Sequence, residues 1–145
     1  MSNGQTGTEV TIKPATFADY PGVARIQALS PEAAQWPLGD YSNFEVVLAL
    51  KNSAPAGFCA WRQTADDEAE LLNMAVEPRM RRKGVATALL EDLRRRAKGS
   101  IFLEVEAGNT AAQTLYRRAG WEEVSVRKDY YGPGRNAIVM KKSSC

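Results

Sequence analysis

A chain of 145 residues with 44% hydrophobic and 25% charged side chains has the size and composition of one soluble domain, able to bury roughly 68–70% of its unfolded surface without disulfide staples. It contains no histidine, which excludes Ser-His-Asp and Cys-His nucleophile systems and imidazole metal ligands. The net charge of +2 hides an imbalance: residues 1–78 carry 4 basic and 10 acidic side chains and residues 79–145 carry 15 and 7, so the second half suits an anionic ligand.

In chain order, residues 1–8 read as a flexible lead-in and residues 9–145 as a single domain. Glu9 to Lys13 reads as a strand stopped by Pro14. Thr16 with Asp19 forms a capping signature for a helix to about Leu29, with Val23, Ile26 and Leu29 at helical spacing. Ser30 to Asn43 holds Pro31, Pro37, Gly39, Trp36 and Tyr41, and predicts a loop with a short helical turn. Val46 to Lys51 and Gly57 to Gln63 are strands around a turn over Asn52 to Ala56, and Ala65 to Asp67 is a second turn. Glu70 to Val76 is a near-continuous apolar run, the pattern of a strand buried on both faces. A helix follows the basic loop, with Val85, Leu89, Leu90, Leu93 and Ala97 on one face and an end at Lys98-Gly99. Ile101 to Glu106 is a strand, Asn109 to Ala119 a helix stopped by Gly120. Glu122 to Lys128 and Ala137 to Lys142 are strands joined by a turn at Gly132, Pro133 and Gly134. The order predicts an α/β domain with a mixed central sheet flanked by helices.

Cys59 and Cys145 form no metal or redox spacing, and no metal is expected. No segment resembles a signal core or a bilayer span of ~20 apolar residues. The expectation is a cytoplasmic protein with no membrane partner.

The strongest chemical signal is Arg81-Arg82-Lys83-Gly84-Val85-Ala86 between a strand and a helix. A helix N terminus presents free N–H groups and a positive dipole end. Gly84 and Ala86 lack bulk, so backbone amides can approach a phosphate, and Arg81, Arg82 and Lys83 add donors suited to its oxygens. A pyrophosphate fits this better than a single carboxylate. The P-loop and G-x-G-x-x-G dinucleotide patterns are both absent.

The segment LLNMAVEPRMRRKGVATALLEDL resembles the coenzyme A segment of the GNAT N-acetyltransferases, whose loop pattern Q/R-x-x-G-x-G/A stands here as Arg81-x-x-Gly84-x-Ala86. FLEVEAGNTAAQTLYRRAGW and VRKDYYGPGRNAIVMKK extend the likeness to one branch, the ribosomal-protein-alanine N-acetyltransferases (RimI-type). The resemblance implies a GNAT (acyl-CoA N-acyltransferase) fold and an acetyl-CoA-dependent enzyme that acetylates the N-terminal alanine of a small-subunit ribosomal protein. It implies that Met74, Ala75 and Val76 pair with the pantetheine arm, that Arg82 through Thr87, including Lys83, Gly84, Val85 and Ala86, hold the pyrophosphate, and that Asn109 contacts the cofactor. It makes Glu104 the proton acceptor and Tyr116 the proton donor. Glu106 departs from the Arg that related enzymes often carry there.

The chemistry fits the residues. Transfer of acetyl from a thioester needs a neutral amine. An α-amino group titrates near ~7.7–8.0 and a Lys side chain near ~10.4, so lysine needs about 3 further pH units, roughly 4 kcal/mol. A single carboxylate such as Glu104, acting directly or through a water, can therefore serve an N-terminal amine. Glu104 and Glu106 lie two apart on a strand and face one side, which favours a basic peptide. Tyr116, seven residues after Asn109, can protonate the leaving thiolate or pack in the core. A backbone N–H near Ala75 or Val76 would meet the oxyanion. Trp36, Tyr130 and Tyr131 are candidate walls of a peptide cleft. Two other readings stay open: a GNAT enzyme for lysine, a polyamine or an aminoglycoside, and a nucleic-acid-binding module built on Arg79–Lys83, Arg94–Arg96 and Arg117–Arg118. No spaced stacking aromatics accompany those basic residues, so no nucleic acid is expected.

Overall fold

Proline, glycine and capping residues set most of the element boundaries. The computed structural model describes residues 9–144; the lead-in expected over residues 1–8 and Cys145 lie outside the described residues. Strand β1 (Val10–Pro14) ends on its proline. The Thr16–Asp19 capping signature opens a 3-10 turn rather than an α-helix: the Thr16 N–H donates to Asp19 Oδ2 at 2.8 Å, the turn covers Phe17–Asp19, and helix α1 follows over Tyr20–Ala28. Leu38–Asn43 forms the short turn foreseen in the following loop, again 3-10.

Strands β2 (Glu45–Lys51) and β3 (Ala54–Ala65) form an antiparallel hairpin. Its turn is shorter than expected. Only Asn52 and Ser53 lie outside the strands, both at positive φ (54° and 68°), the backbone that two-residue hairpin turns require. Strand β4 (Glu68–Val76) corrects the expectation of burial on both faces. Ala69, Leu71, Asn73 and Ala75 are buried while the residues between them are not, so one face packs and the other is half-open. Helix α2 (Val85–Arg96) buries Val85, Leu89, Leu90, Asp92 and Leu93. It stops at Arg96, short of the expected Lys98-Gly99, and Ala97 lies outside it.

Strand β5 (Ser100–Glu106) runs parallel to the start of β4. Helix α3 (Thr110–Arg118) follows, then strands β6 (Glu122–Gly132) and β7 (Arg135–Lys142). β7 pairs antiparallel with both β5 and β6. Strand order is β1-β2-β3-β4-β5-β7-β6 in one mixed seven-stranded sheet, the α/β arrangement foreseen from the element order.

By contact density the chain forms two units, one built from the chain up to Trp61 with Asn73–Arg95, the other from Arg62–Leu72 with the chain from Arg96 onward. In the first, Tyr20, Val23, Ile26, Tyr41, Leu48 and Phe58 are among the residues of the core cluster. Gly57 lets α2 lie close on β3: a Cβ there would meet the Ala75 carbonyl oxygen at 2.9 Å and Val85 Cγ1 at 3.0 Å. In the second, Lys142 Nζ caps α3 by donating to the Ala119 carbonyl at 3.0 Å. Gly120, at φ 95°, ends the helix as expected.

Candidate active site

In the first unit, β4 leads through Glu77 and a 3-10 turn (Pro78–Met80) into the basic loop. The Glu77 side chain is buried and accepts from the Arg79 N–H at 2.7 Å, which fixes the exit from the strand. Arg82 lies at φ 62° and Gly84 at φ 84°. Alternating signs of φ along a loop turn successive N–H groups to one side, the geometry of an anion nest. A Cβ on Gly84 would meet nothing within 4 Å, so its backbone is open to a ligand. The Gly84 carbonyl already accepts from the Ala88 N–H at 3.0 Å, which places Gly84 as the cap of α2. Arg82 and Lys83 are exposed and make no ion pair or side-chain hydrogen bond among the described residues. This cradle suits a pyrophosphate.

Arg81 is placed differently. Its Nε donates to the Val76 carbonyl at 3.3 Å, and its Nη2 reaches Glu32 at 2.9 Å and Ser30 Oγ at 3.5 Å. Met74, Ala75 and Val76 end β4 as expected. Trp36 packs its ring against Tyr41 and Phe44, with centroids 5.1 and 5.2 Å away.

In the second unit, β5 sends Ile101, Leu103 and Val105 into the interior and Glu104 and Glu106 to the opposite, half-open face. The two carboxylates share a side, and each has found a cation within the chain. Glu104 Oε2 lies 3.2 Å from Arg127 Nη1, and Glu104 Oε1 accepts from the Tyr130 hydroxyl at 3.2 Å. Glu106 takes a two-pronged bond from Arg135, Nε to Oε2 at 2.8 Å and Nη2 to Oε1 at 2.9 Å. That guanidinium holds the Glu106 carboxyl below the usual carboxylate range.

Strand pairing creates these contacts. Glu104 faces Val139 and Glu106 faces Ala137 across β5–β7. Beyond them, β6 bulges between Arg127 and Gly132, with Asp129 at φ 56°. Asp129 is pinned by the Asn136 side chain and in turn accepts from the Gly134 N–H at 2.7 Å. The bulge carries Tyr130 and Tyr131, stacked edge to face at 5.0 Å. Burial is the main cause that pushes the Tyr131 phenol up to about 12, and it also raises that of Tyr130, aided by the nearby Glu104 charge. Both phenols therefore stay protonated donors at neutral pH. A shallow cleft of about 330 Å³ lies along this face, lined by Glu68, Glu70, Phe102, Glu104 and Arg127 among others.

Asn109 caps α3, its side chain accepting from the Ala112 N–H at 3.1 Å. Buried Gln113 donates to the Ala107 carbonyl at 2.9 Å and steadies the end of β5. Tyr116 packs its ring against buried Trp121 at 5.8 Å. Three residues escape a reading by motif: Arg127 and Arg135, which pair with the two carboxylates, and Asn73, whose buried amide bonds to Ala34. A polar residue inside the apolar run of β4 was the available signal for Asn73, because a buried amide needs partners. Among the described residues no group of three or more acidic or sulfur side chains could hold a metal ion, and no helix is long and apolar enough to cross a membrane.

A family model described as the acetyltransferase (GNAT) family matches residues 14–121. The [ribosomal protein bS18]-alanine N-acetyltransferase of Escherichia coli K12 is 40% identical over 107 residues, 69% of this chain and 70% of that protein. The crystal structure of the Escherichia coli ribosomal-protein-S18-alanine N-acetyltransferase superposes with a TM-score of 0.77 at 28% identity, covering 94% of each chain. The enzyme of the same name from Haemophilus ducreyi is 41% identical over 86 residues, 54% of this chain and 59% of that protein's length. A GNAT acetyltransferase of Elizabethkingia anophelis solved with acetyl-CoA bound shares the fold, with a TM-score of 0.77 at 19% identity over 92% of this chain and 97% of that one.

Proposed function

The chain belongs to the acetyltransferase (GNAT) family, and from that premise we propose that it transfers acetyl from acetyl-CoA to the α-amine of a protein N terminus, the acceptor being the N-terminal alanine of a small-subunit ribosomal protein. The observation that carries this reading is the Arg82–Thr87 cradle. A helix N terminus, an open glycine at φ 84° and two exposed cations without an ion pair among the described residues suit the pyrophosphate of coenzyme A. The acceptor class is supported by relatives named for acetylation of the ribosomal protein bS18 alanine.

In this reading Met74, Ala75 and Val76 offer backbone groups to the pantetheine arm, and Arg82 through Thr87 hold the pyrophosphate. Asn109 borders the cofactor. Glu104 accepts the proton of the acceptor ammonium, directly or through a water. The neutral amine forms the new C–N bond at the thioester carbonyl, the C–S bond breaks and Tyr116 protonates the leaving thiolate; the second proton that the nitrogen sheds on becoming an amide passes through water to the tyrosinate and restores the phenol. Tyr130 and Arg127 hold both oxygens of Glu104, so the carboxylate presents one orientation to the amine. Trp36, Glu106 and Tyr131 contact the peptide. The reaction needs no metal, and we place the enzyme in the cytoplasm.

The test is mass spectrometry of two peptides mixed with protein and acetyl-CoA. One begins with a free alanine followed by basic and aromatic residues. The other has a blocked N terminus and an internal lysine. One acetyl gained only by the free N terminus is expected. A gain on the blocked peptide points instead to a lysine acetyltransferase. No gain on either peptide, with coenzyme A still bound, overturns the acceptor assignment and leaves the cofactor site standing.

A further inference from the structure

Between α1 and the Leu38–Asn43 turn, Ser30 to Trp36 has no regular secondary structure, yet side chains meet its backbone groups one by one. Gln35 Nε2 donates to the carbonyls of Gln27, Ser30 and Ala33. Gln27 Nε2 donates to the Trp36 carbonyl at 3.0 Å, and the Tyr41 hydroxyl donates to Gln27 Oε1. The tie that reaches β4 is Asn73. Its Oδ1 accepts from the Ala34 N–H at 3.1 Å, and its Nδ2 donates to the Ala34 carbonyl at 3.0 Å. Those two opposed bonds to one residue are what a partner residue in an antiparallel strand pair would make. The amide docks the loop as if it were one residue of an added strand. Asn73 is 6% exposed, so water competes poorly for these bonds. A second tie comes from Arg81, which joins Glu32 and Ser30 to the Val76 carbonyl. Both arginine and glutamate are half-exposed, so this tie is the weaker one.

Asn73 immediately precedes Met74, Ala75 and Val76, and Val76 takes the bond from Arg81. We propose that Asn73 and Arg81 are positioning residues that brace the Ser30–Trp36 loop against the end of β4, so that this loop acts as a wall for the acceptor peptide fixed in register with the strand that serves the acetyl thioester. The proposal rests on the acetyltransferase reading above. It gives the first residue of the Arg81-x-x-Gly84-x-Ala86 motif a role in acceptor binding rather than in phosphate binding.

Three measurements on Asn73→Leu, Asn73→Asp and Arg81→Gln test it. These are the KM for the free-alanine peptide, the Kd for acetyl-CoA, and hydrogen exchange of the Ala34 amide. Asn73→Leu removes both bonds to Ala34, together with the Nδ2 donation to the Tyr41 hydroxyl at 3.3 Å, and is expected to raise the peptide KM roughly tenfold, the factor that about 1.4 kcal/mol gives. Acetyl-CoA Kd should stay within about twofold, well below the tenfold that a lost binding contact would give, while Ala34 exchange accelerates. Asn73→Asp keeps the oxygen that accepts from the Ala34 N–H but sets a second carboxylate oxygen against the Ala34 carbonyl in a buried site, so it should raise the peptide KM at least as far as Asn73→Leu; Asn73→Ser, small and neutral, serves if the leucine variant fails to fold. Arg81→Gln should raise peptide KM more than acetyl-CoA Kd, and exchanging the charges in Arg81→Glu with Glu32→Arg should restore part of that loss.

Faster Ala34 exchange with an unchanged peptide KM would reduce Asn73 to a purely structural tie and overturn the proposal. Loss of acetyl-CoA affinity in Arg81→Gln, with peptide KM unmoved, would return Arg81 to the phosphate site and overturn its part. A wild-type protein that binds acetyl-CoA but acetylates no peptide overturns the parent reading instead, a result visible before any variant is made.

Discussion

Replacing Gly84 by Ala separates the strain of a left-handed backbone from the obstruction of an anion. Gly84 sits at φ 84°, where a Cβ costs roughly 1–2 kcal/mol. For a domain of this size each kcal/mol lowers Tm by roughly 2–4 °C, so a fall of about 2–8 °C is expected. A new Cβ would touch no protein atom within 4 Å, so backbone strain is the whole stability penalty. On the proposed cofactor reading, the same Cβ would stand where a phosphate approaches the loop amides. Displacing one amide from an anionic oxygen forfeits ~1.5–3 kcal/mol, which weakens acetyl-CoA binding roughly 10- to 100-fold. Gly134 supplies the control. It lies at φ 74° with nothing within 4 Å of its Cβ, in the β6–β7 turn. Gly134→Ala should lose similar stability and no acetyl-CoA affinity. The assay pairs thermal denaturation with calorimetric titration of acetyl-CoA against both variants. Equal stability losses with unchanged acetyl-CoA affinity in Gly84→Ala would refute the assignment of the loop.

Glu104→Gln should lower kcat by about 100-fold or more, the usual scale of a general base, with acetyl-CoA affinity retained; single-turnover kinetics over a pH series would expose an unchanged rate and remove Glu104 from that role. Tyr116→Phe keeps the ring that packs on Trp121, so turnover should slow while Tm moves little, and full activity would assign Tyr116 to packing alone. The Glu106 carboxyl is held low by Arg135. Because its native pKa is depressed below the ordinary 4.5, its contribution to stability is present above that pH and is lost as pH falls through the lowered native value. Arg135→Gln should raise the Glu106 titration midpoint seen by NMR and flatten this part of the acid dependence of Tm; an unmoved midpoint would show that the two-pronged bond does not persist in solution.

Local chemistry alone makes much of this protein legible. Pro14 and Gly120 stop their elements, a Gly-Pro-Gly turn joins the last two strands, and the apolar spacing of Val85, Leu89 and Leu93 marks the buried face of α2. Each signal acts within one or two turns of its own position, so a sequence displays it directly. The basic loop before α2 is legible for the same reason, because its glycine and its cations are neighbours in the chain. Short-range reasoning fails where the partner is distant. Asn73 looks like an interruption in an apolar run until the fold sets it beside Ala34, 39 residues away. Glu104 and Glu106 read as a pair of carboxylates awaiting a cationic ligand, whereas strand pairing and the β6 bulge bring Arg127 and Arg135 to them. The chain's own residues decide that each charge exists; only the register of β5, β7 and β6 decides which opposite charge lies within about 3 Å, and for Glu106 that partner, Arg135, holds the carboxyl low.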